Sequence, residues 1–135
     1  MNSTVLKAAH QYRQLDVQTS VAMATPHQLV DLLFQGAREQ LNLAHGHIHR
    51  GDHAGRSAAI NAVVDILSGL QASLDFENGE DIAANLDSLY DYMQRRLFRA
   101  NSDNDVDGVL EVTDLIDTLR SAWRAIDPDS AVSAG

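Results

Sequence analysis

The sequence predicts an all-α protein, an antiparallel four-helix bundle with a short N-terminal helix or cap. Two observations carry this prediction. Apolar residues recur every seven positions in four successive segments, and three short breaks rich in glycine, asparagine and aspartate separate these segments. A seven-residue apolar repeat is the seam of a left-handed bundle whose helices cross at about 20°. Because the breaks are short, we expect neighbouring helices to run antiparallel.

The first helix has the clearest start signal. Thr25 can cap it, Pro26 suits the first helical position, and Gln28 completes a capping box. The four segments carry these seam rows, in chain order: Val30, Ala37 and Ala44 with Phe34, Leu41 and Ile48; Ile60, Leu67 and Leu74 with Val63 and Leu70; Leu86, Met93 and Ala100 with Ile82, Leu89, Tyr90 and Leu97; Val109, Ile116 and Trp123 with Val112, Leu119 and Ile126.

The breaks divide the chain into an N-terminal segment, the bundle and a tail. The breaks are expected at residues 50–55, 75–79 and 101–105. The predicted segments are an N-terminal cap over 1–24, the four-helix bundle over 25–127 and a disordered tail over 128–135. Val5, Tyr12 and Leu15 have helical spacing over roughly three turns, and so short a helix is marginal unless it lies on another element. We therefore expect the cap to cover one face of the bundle.

Composition excludes several classes of protein. At 135 residues the chain is expected to be one domain that buries roughly two-thirds of its unfolded surface, so it needs no metal or disulfide to fold. It has no cysteine, which excludes thiol chemistry. The first residues lack the basic start and apolar core of a signal peptide, and no apolar run approaches the roughly 20 residues that span a bilayer. The lack of cysteine is compatible with a reducing cytoplasm, and we expect no membrane insertion.

The formal charge of −9 is concentrated in the second half of the chain. Residues 1–74 balance five basic against five acidic side chains, whereas residues 75–135 carry 14 acidic side chains and five arginines. Because an acidic surface repels phosphate, we expect no nucleic-acid partner. The same charge disfavours docking on anionic lipid.

Four histidines near the end of the first helix raise a metal hypothesis: His45, His47, His49 and His53. His45 and His49 are four residues apart and share a helix face, which could seat zinc or nickel. The chain offers no cysteine, and Asp52 is the only carboxylate nearby in the sequence. Histidines near a helix C-terminus also complement the helix dipole. We favour this second interpretation and predict no metal site and no cofactor.

Catalytic templates do not fit the chain. A di-iron bundle uses Glu-x-x-His pairs, and the sequence has none. A phosphate loop places a glycine-rich turn before Lys-Ser or Lys-Thr, but the single lysine, Lys7, lies in no such loop. No serine or threonine lies in a motif that pairs a nucleophile with a base. We predict that the protein is not an enzyme.

The third helix ends with a basic and aromatic stretch. Its three arginines are Arg95, Arg96 and Arg99. They complement the helix dipole and can pair with Asp91 at four-residue spacing. Tyr90 and Tyr92 point in different directions on a helix, so we expect one in the core and the other near the rim. Trp123, on the fourth seam, is expected in the core.

The stretch from Leu89 to Leu97, followed by Ala100-Asn101, resembles the signature of the flagellin-specific secretion chaperones, the FliS family. Further matching blocks are Ala24–Val30, Leu33–Ala37, Leu74-Asp75, Asn78-Gly79, Ile82–Leu86 and Ala122-Trp123. The resemblance covers roughly residues 5–127. The chain departs from the family at Glu80, where the family often has glycine, and at Phe34, where tyrosine is common.

This resemblance implies a cytoplasmic export chaperone of bacterial flagella. Such proteins bind the disordered C-terminal part of flagellin, prevent its premature polymerisation and deliver it to the flagellar type III export gate. The implied partners are therefore the flagellin C-terminal segment and the export gate. The implied fold is an antiparallel helical bundle with an N-terminal cap, and the client wraps around it. Since no ATP site is visible, release is expected to depend on handover at the gate.

The client-binding surface is expected among apolar positions off the tightest seam, because the first two helices carry wider apolar arcs than a seam needs. A wide arc is also normal for a core helix, and a groove for a partner helix is the alternative. The candidate client-binding residues are Tyr12, Leu15, Val17, Leu32, Leu43, Val64, Ile66 and Tyr92. A loosely held cap would shield the groove until the client displaces it.

Two other functions stay open. A non-catalytic bundle could act as a homodimeric structural or signalling module that hides its apolar arcs in the dimer. A small metal-sensing bundle could use the histidine cluster. A weak homodimer of the chaperone without its client also stays open. Concentration-dependent size without client binding would indicate the homodimeric module. A metal-dependent thermal shift would indicate the metal-sensing bundle.

Overall fold

The computed structural model describes residues 24–126, which form four α-helices and no strand. The helices are α1 (Pro26–Arg50), α2 (His53–Ala72), α3 (Phe76–Asp103) and α4 (Val106–Ala125). None of these four helices combines the length and the apolar character needed to cross a membrane. The predicted tail, and the predicted cap apart from its last residue, lie outside the described residues and stay predictions.

The helices follow one another around the bundle in chain order. α1 packs against α2 and α4, and α3 packs against the same two helices. The start of α1 lies beside the end of α4, where the rings of His27 and Trp123 stack. The end of α2 lies beside α3, where the Gln71 amide donates to Asp87. Neighbouring helices therefore run antiparallel, and the predicted all-α four-helix bundle is confirmed.

Side-chain caps fix the start of each helix. Thr25 Oγ1 accepts from the Gln28 backbone N–H at 3.1 Å, and Gln28 Oε1 accepts from the Thr25 N–H at 3.0 Å. This is the predicted capping box. The other three helices have aspartate caps: Asp52, Asp75 and Asp105. Each cap satisfies backbone N–H groups that have no partner within the helix.

The predicted seam rows form most of the core. The fully buried large side chains are Leu33, Phe34, Leu41, Ile60, Val63, Leu67, Met93, Leu97, Val109, Val112 and Ile116. Two predicted seam residues are instead exposed: Ile82 is 71 % exposed and Ile126 is 66 % exposed. The prediction that these two residues lie in the seam is therefore wrong. Ile126 lies beyond the last residue of α4, and Ile82 closely follows an irregular turn in α3.

The breaks are shorter than the sequence predicts. Only two residues separate α1 from α2, and the first of them, Gly51, is left-handed at φ 69°. Between α3 and α4 the chain again has two connecting residues, and Asn104 is left-handed at φ 52°. Glycine and asparagine adopt this conformation at low cost, so each helix can stop and reverse within a very short connection.

The second break is irregular in an unexpected place. α3 already begins at Phe76, within the predicted break, and the backbone departs from helical geometry at Glu80, with φ 47° and ψ −124°. A residue with a side chain in this region is strained by about 1–3 kcal/mol, whereas glycine adopts it freely. The family that the chain resembles often has glycine at this same position, which agrees with the observed backbone.

Glu80→Gly is therefore expected to stabilise the bundle by about 1 kcal/mol, because relief of strain exceeds the entropy that glycine loses on folding. Asp81→Gly is the matched control, since Asp81 has helical geometry and its replacement should cost up to about 1 kcal/mol. Urea denaturation of both variants measures the two free energies of unfolding. If Glu80→Gly is no more stable than the unsubstituted chain, Glu80 is not strained.

Candidate functional site

An open apolar groove lies at the end of the bundle where α1 and α3 begin and α2 and α4 end. Its volume is about 520 Å³. The larger apolar side chains in its lining are Val30, Leu70, Leu74, Ile82, Leu86, Tyr90 and Trp123. The polar groups are fewer, among them His27, Ser73 and Asp75. Because all four helices contribute side chains, only the assembled bundle forms the groove.

His27 and Trp123 join α1 to α4 at one wall of the groove. Trp123 Nε1 donates to the His27 carbonyl oxygen at 2.9 Å, and His27 Nε2 donates to the Trp123 carbonyl oxygen at 2.8 Å. Their rings stack with centroids 4.3 Å apart and planes inclined by 11°. Trp123 is thus half-buried at the groove and not enclosed in the core as predicted. The paired bonds hold this wall in place.

Tyr90 provides a neutral, largely buried part of the groove. It is 4 % exposed, and burial raises the pKa of its phenol to about 12. Nearby, Gln71 of α2 donates to Asp87 Oδ1 at 3.0 Å and accepts from Gln94 Nε2 at 2.8 Å, which joins α2 to α3. Tyr90 is the core tyrosine and Tyr92 the exposed one, as the helical spacing predicts.

Exposed apolar side chains extend the groove surface at this end of the bundle. Phe76 is more than half exposed, and Ile82 and Ile126 are more exposed still. Ala24 packs against the core, and Pro26 lines the groove. The chain that precedes residue 24 therefore joins the bundle at the edge of the groove.

The structure does not bring the predicted client-binding residues together in this groove. Leu43 and Tyr92 are exposed, Leu32 and Val64 are half-buried, and none of these four lines the groove. Ile66 is only 5 % exposed and belongs to the core. The remaining three candidates, Tyr12, Leu15 and Val17, lie outside the described residues.

The groove residues were missed because they occupy seam positions. Val30, Leu86 and Trp123 have the same seven-residue spacing as fully buried side chains, so periodicity alone assigns them to the core. Val30 and Trp123 lie near helix ends, where the bundle has fewer layers to cover them, whereas Leu86 lies six residues after the irregular turn at Glu80. Nearness of a seam residue to a helix end is the signal that could have identified Val30 and Trp123.

A charged network joins α3 to α4 along the side of the bundle. Arg96 donates from Nε to Glu111 and from Nη2 to Asp105, each at 3.0 Å, and the Tyr92 hydroxyl donates to Glu111. The hydrogen bond from Tyr92, followed by that from Arg96, holds the pKa of Glu111 below its ordinary value. Arg96 likewise lowers the pKa of Asp105. Of the clustered arginines, Arg95 forms the predicted pair with Asp91, at 2.9 Å.

The sequence matches the family described as Flagellar protein FliS over residues 8–130. It is 40 % identical over 121 residues to the flagellar secretion chaperone FliS of Salmonella typhimurium, which covers 89 % of this chain and 90 % of that protein. It is 39 % identical over 121 residues to the flagellar secretion chaperone FliSB of Pseudomonas aeruginosa, covering 90 % and 96 %. The FliS chaperone of Bacillus subtilis is 31 % identical over 107 residues, with 79 % of each chain covered. The chain belongs to the FliS family of flagellar secretion chaperones.

Proposed function

We propose that this protein is a cytoplasmic export chaperone that binds the disordered C-terminal region of flagellin, prevents its premature polymerisation and delivers it to the flagellar type III export apparatus. The open apolar groove, in a chain of the FliS family, is the observation that carries the proposal. Membership of a chaperone family, together with the lack of a catalytic template in the sequence, supports a role in binding and not in catalysis.

The groove suits one face of an amphipathic helix. Its volume of about 520 Å³ is in the range of pockets that enclose apolar groups, roughly 300–1,000 Å³. Helix-in-groove recognition places apolar side chains of one helix face into such a surface. A disordered client can adopt this helix on binding and extend over the rest of the bundle. The groove would then hold one anchor of a longer contact.

The exposed side chains at the groove can supply part of the binding free energy. Full burial of an isoleucine or phenylalanine side chain contributes about 1.5–3 kcal/mol, and both Ile82 and Phe76 are more than half exposed. Ordering a disordered segment costs about 2–5 kcal/mol or more. One anchor therefore does little more than offset the ordering of the client, so a stable complex requires several contacts.

We propose that the N-terminal segment covers the groove when no client is bound. The segment ends two residues before Pro26, which lines the groove, and its apolar residues include Tyr12, Leu15 and Val17. Deleting residues 1–18 is expected to expose apolar surface to a dye such as ANS and to change client affinity. Unchanged dye binding together with unchanged affinity would contradict this role.

The remaining candidate residues are proposed as a second contact surface along the bundle. Leu43 and Tyr92 are exposed, and Leu32 and Val64 are half-buried, so extended stretches of the client can reach them. Ile66 is buried in the core, where a client would reach it only if α2 moved.

Ile82→Asp is expected to weaken binding of the flagellin C-terminal segment by roughly 30-fold or more. The variant removes one apolar anchor worth about 2 kcal/mol and would bury a carboxylate beside the client. Phe98→Asp is the matched control, because Phe98 is 58 % exposed on the same helix and lies about 24 Å from Ile82 at 1.5 Å per residue. Calorimetric titration of both variants measures the dissociation constants.

The two variants also separate the chaperone from the homodimeric module. Reduced affinity in Ile82→Asp with near-normal affinity in Phe98→Asp supports client binding at the groove. Equal effects of the two substitutions would exclude the groove as the anchor site. If no client binds, and if sedimentation shows a dimer that Ile82→Asp dissociates, the homodimeric module replaces the chaperone.

A further inference from the structure

The last turns of α1 carry a histidine pair at the end of the bundle opposite the groove. His45 Nε2 and His49 Nε2 are 3.3 Å apart, while the ring centroids are 4.5 Å apart. Because the nitrogens are closer than the ring centroids, the two rings face each other with their Nε2 atoms. His45 is half-buried and His49 is exposed, so solvent reaches the pair.

The sequence alone favours no metal site, but the close approach of the two nitrogens supports one. We propose that His45 and His49 together bind one divalent transition-metal ion of the Cu²⁺, Ni²⁺ and Zn²⁺ class. A metal bound to imidazole at about 2.05 Å from each nitrogen, with the nitrogens 3.3 Å apart, subtends an angle of about 107°. That angle is close to the tetrahedral geometry of Zn²⁺. The angle of about 90° that Ni²⁺ and Cu²⁺ prefer requires the nitrogens to approach by about 0.4 Å. The pair can therefore hold an ion with little movement of either side chain.

The site supplies two protein ligands, and water completes the coordination. His47 contacts Asp52 at 3.1 Å and Arg50 at 3.1 Å, and His53 contacts Arg56 at 2.8 Å. Both rings are engaged elsewhere, and within residues 24–126 no group of three or more histidine, aspartate or glutamate side chains is arranged to hold a metal. The ion is thus bound reversibly at the surface, unlike a closed structural site.

The chemistry of the ligands selects the ion. Neutral imidazole suits Cu²⁺, Ni²⁺ and Zn²⁺, whereas Mg²⁺ and Ca²⁺ require oxygen ligands. In the hydrogen-bonded pair one Nε2 is protonated and donates the hydrogen bond, and the other Nε2 is unprotonated and accepts it. To bind the metal through Nε2, each ring must carry its single proton on Nδ1. The donor ring therefore changes tautomer, and neither ring loses a proton overall.

The test is an equilibrium titration of the full, untagged chain with Ni²⁺ and with Zn²⁺, and with Mg²⁺ as the negative control. One ion per chain is expected for Ni²⁺ and Zn²⁺, and no saturable binding for Mg²⁺. His45→Gln and His49→Gln should each lower the affinity at least about tenfold, which is the effect of losing even an outer-shell partner of a metal. Glutamine keeps helix propensity, and circular dichroism verifies that the variants fold.

His47→Gln and His53→Gln are the matched controls and should retain the affinity of the unsubstituted chain. The proposal is overturned if the His45→Gln variant and the His49→Gln variant each keep the full affinity. It is also overturned if the affinity falls equally in the controls, since the ion would then lie on other residues. Absence of saturable Ni²⁺ and Zn²⁺ binding would overturn it as well. Neither result depends on flagellin, so the outcome is separate from the proposed chaperone function.

Discussion

Gly108→Ala is expected to destabilise the bundle by about 2 kcal/mol, although alanine is the better helix former. A Cβ at residue 108 would lie 2.5 Å from Arg96 Nη1 and 2.8 Å from the Ala100 Cβ. The guanidinium can move aside only by losing charged hydrogen bonds worth about 1.5–3 kcal/mol each. The Ala100 Cβ is fixed to the α3 backbone, so α3 and α4 must also separate, and overpacking costs about 1–3 kcal/mol. The gain in helix propensity is about 1 kcal/mol, which is too small to reverse the sign.

Gly46→Ala is the matched control for this substitution. Gly46 is also inside a helix, but its Cβ would approach only the Arg50 guanidinium, at 2.9 Å from Nη1. That group is the end of a flexible side chain and can move at little cost. Gly46→Ala should therefore stabilise the bundle by about 1 kcal/mol. Urea denaturation gives both free energies of unfolding, and effects of the same sign would contradict the close approach of α3 and α4 at Gly108.

Arg96→Ala is expected to cost about 2 kcal/mol, because it removes both carboxylate contacts between α3 and the start of α4. Arg96→Met keeps the apolar stem without the charge. It should recover only a minor part of the loss if the charged contacts dominate. Full recovery by methionine would assign the stability to packing. Thermal denaturation of the three proteins distinguishes these results.

The same network predicts an acid-sensitive stability. Since the pKa values of Glu111 and Asp105 are lowered in the folded protein, their contribution is present above their ordinary pKa values of about 4. It is lost as pH falls through the lowered values. Midpoints of unfolding measured from pH 7 to pH 2.5 should therefore fall less steeply in Arg96→Ala than in the unsubstituted chain.

Gly108 and Arg96 are also expected to be coupled. Part of the cost of Gly108→Ala is the displacement of Arg96, so the double variant should lose less stability than the sum of the two single variants. A coupling of at least about 0.5 kcal/mol is expected for residues in direct contact. Strict additivity would show that the Gly108 effect comes from Ala100 alone.

Local signals in the sequence predicted local structure well. Thr25 and Gln28 form the expected capping box because both partners lie within one turn. The seam rows are buried because a seven-residue repeat directly expresses which helix face meets its neighbours. The lengths of the breaks were overestimated, since one left-handed residue such as Asn104 ends a helix at once.

Features that depend on distant residues were not predictable in this way. Arg96 lies in the second half of α3, where a cation complements the helix dipole, as expected. Its partners Asp105 and Glu111 come from the α3–α4 connection and from α4. The groove wall likewise depends on His27 meeting Trp123, 96 residues away. Sequence spacing shows which face of a helix is apolar. Spacing does not show where the neighbouring helices end. The position of those ends decides whether another helix covers Ile82.

Amide hydrogen exchange, with and without the flagellin C-terminal segment, tests the central claim most directly. Residues from the first turns of α1, from the end of α2 and from positions 82–86 of α3 line the groove. If the client is anchored there, exchange in these three stretches slows on binding, while the α1–α2 connection at Gly51-Asp52 keeps its free rate. Protection confined to the opposite end of the bundle, with the groove unchanged, would contradict the assignment of the groove as the flagellin-binding site.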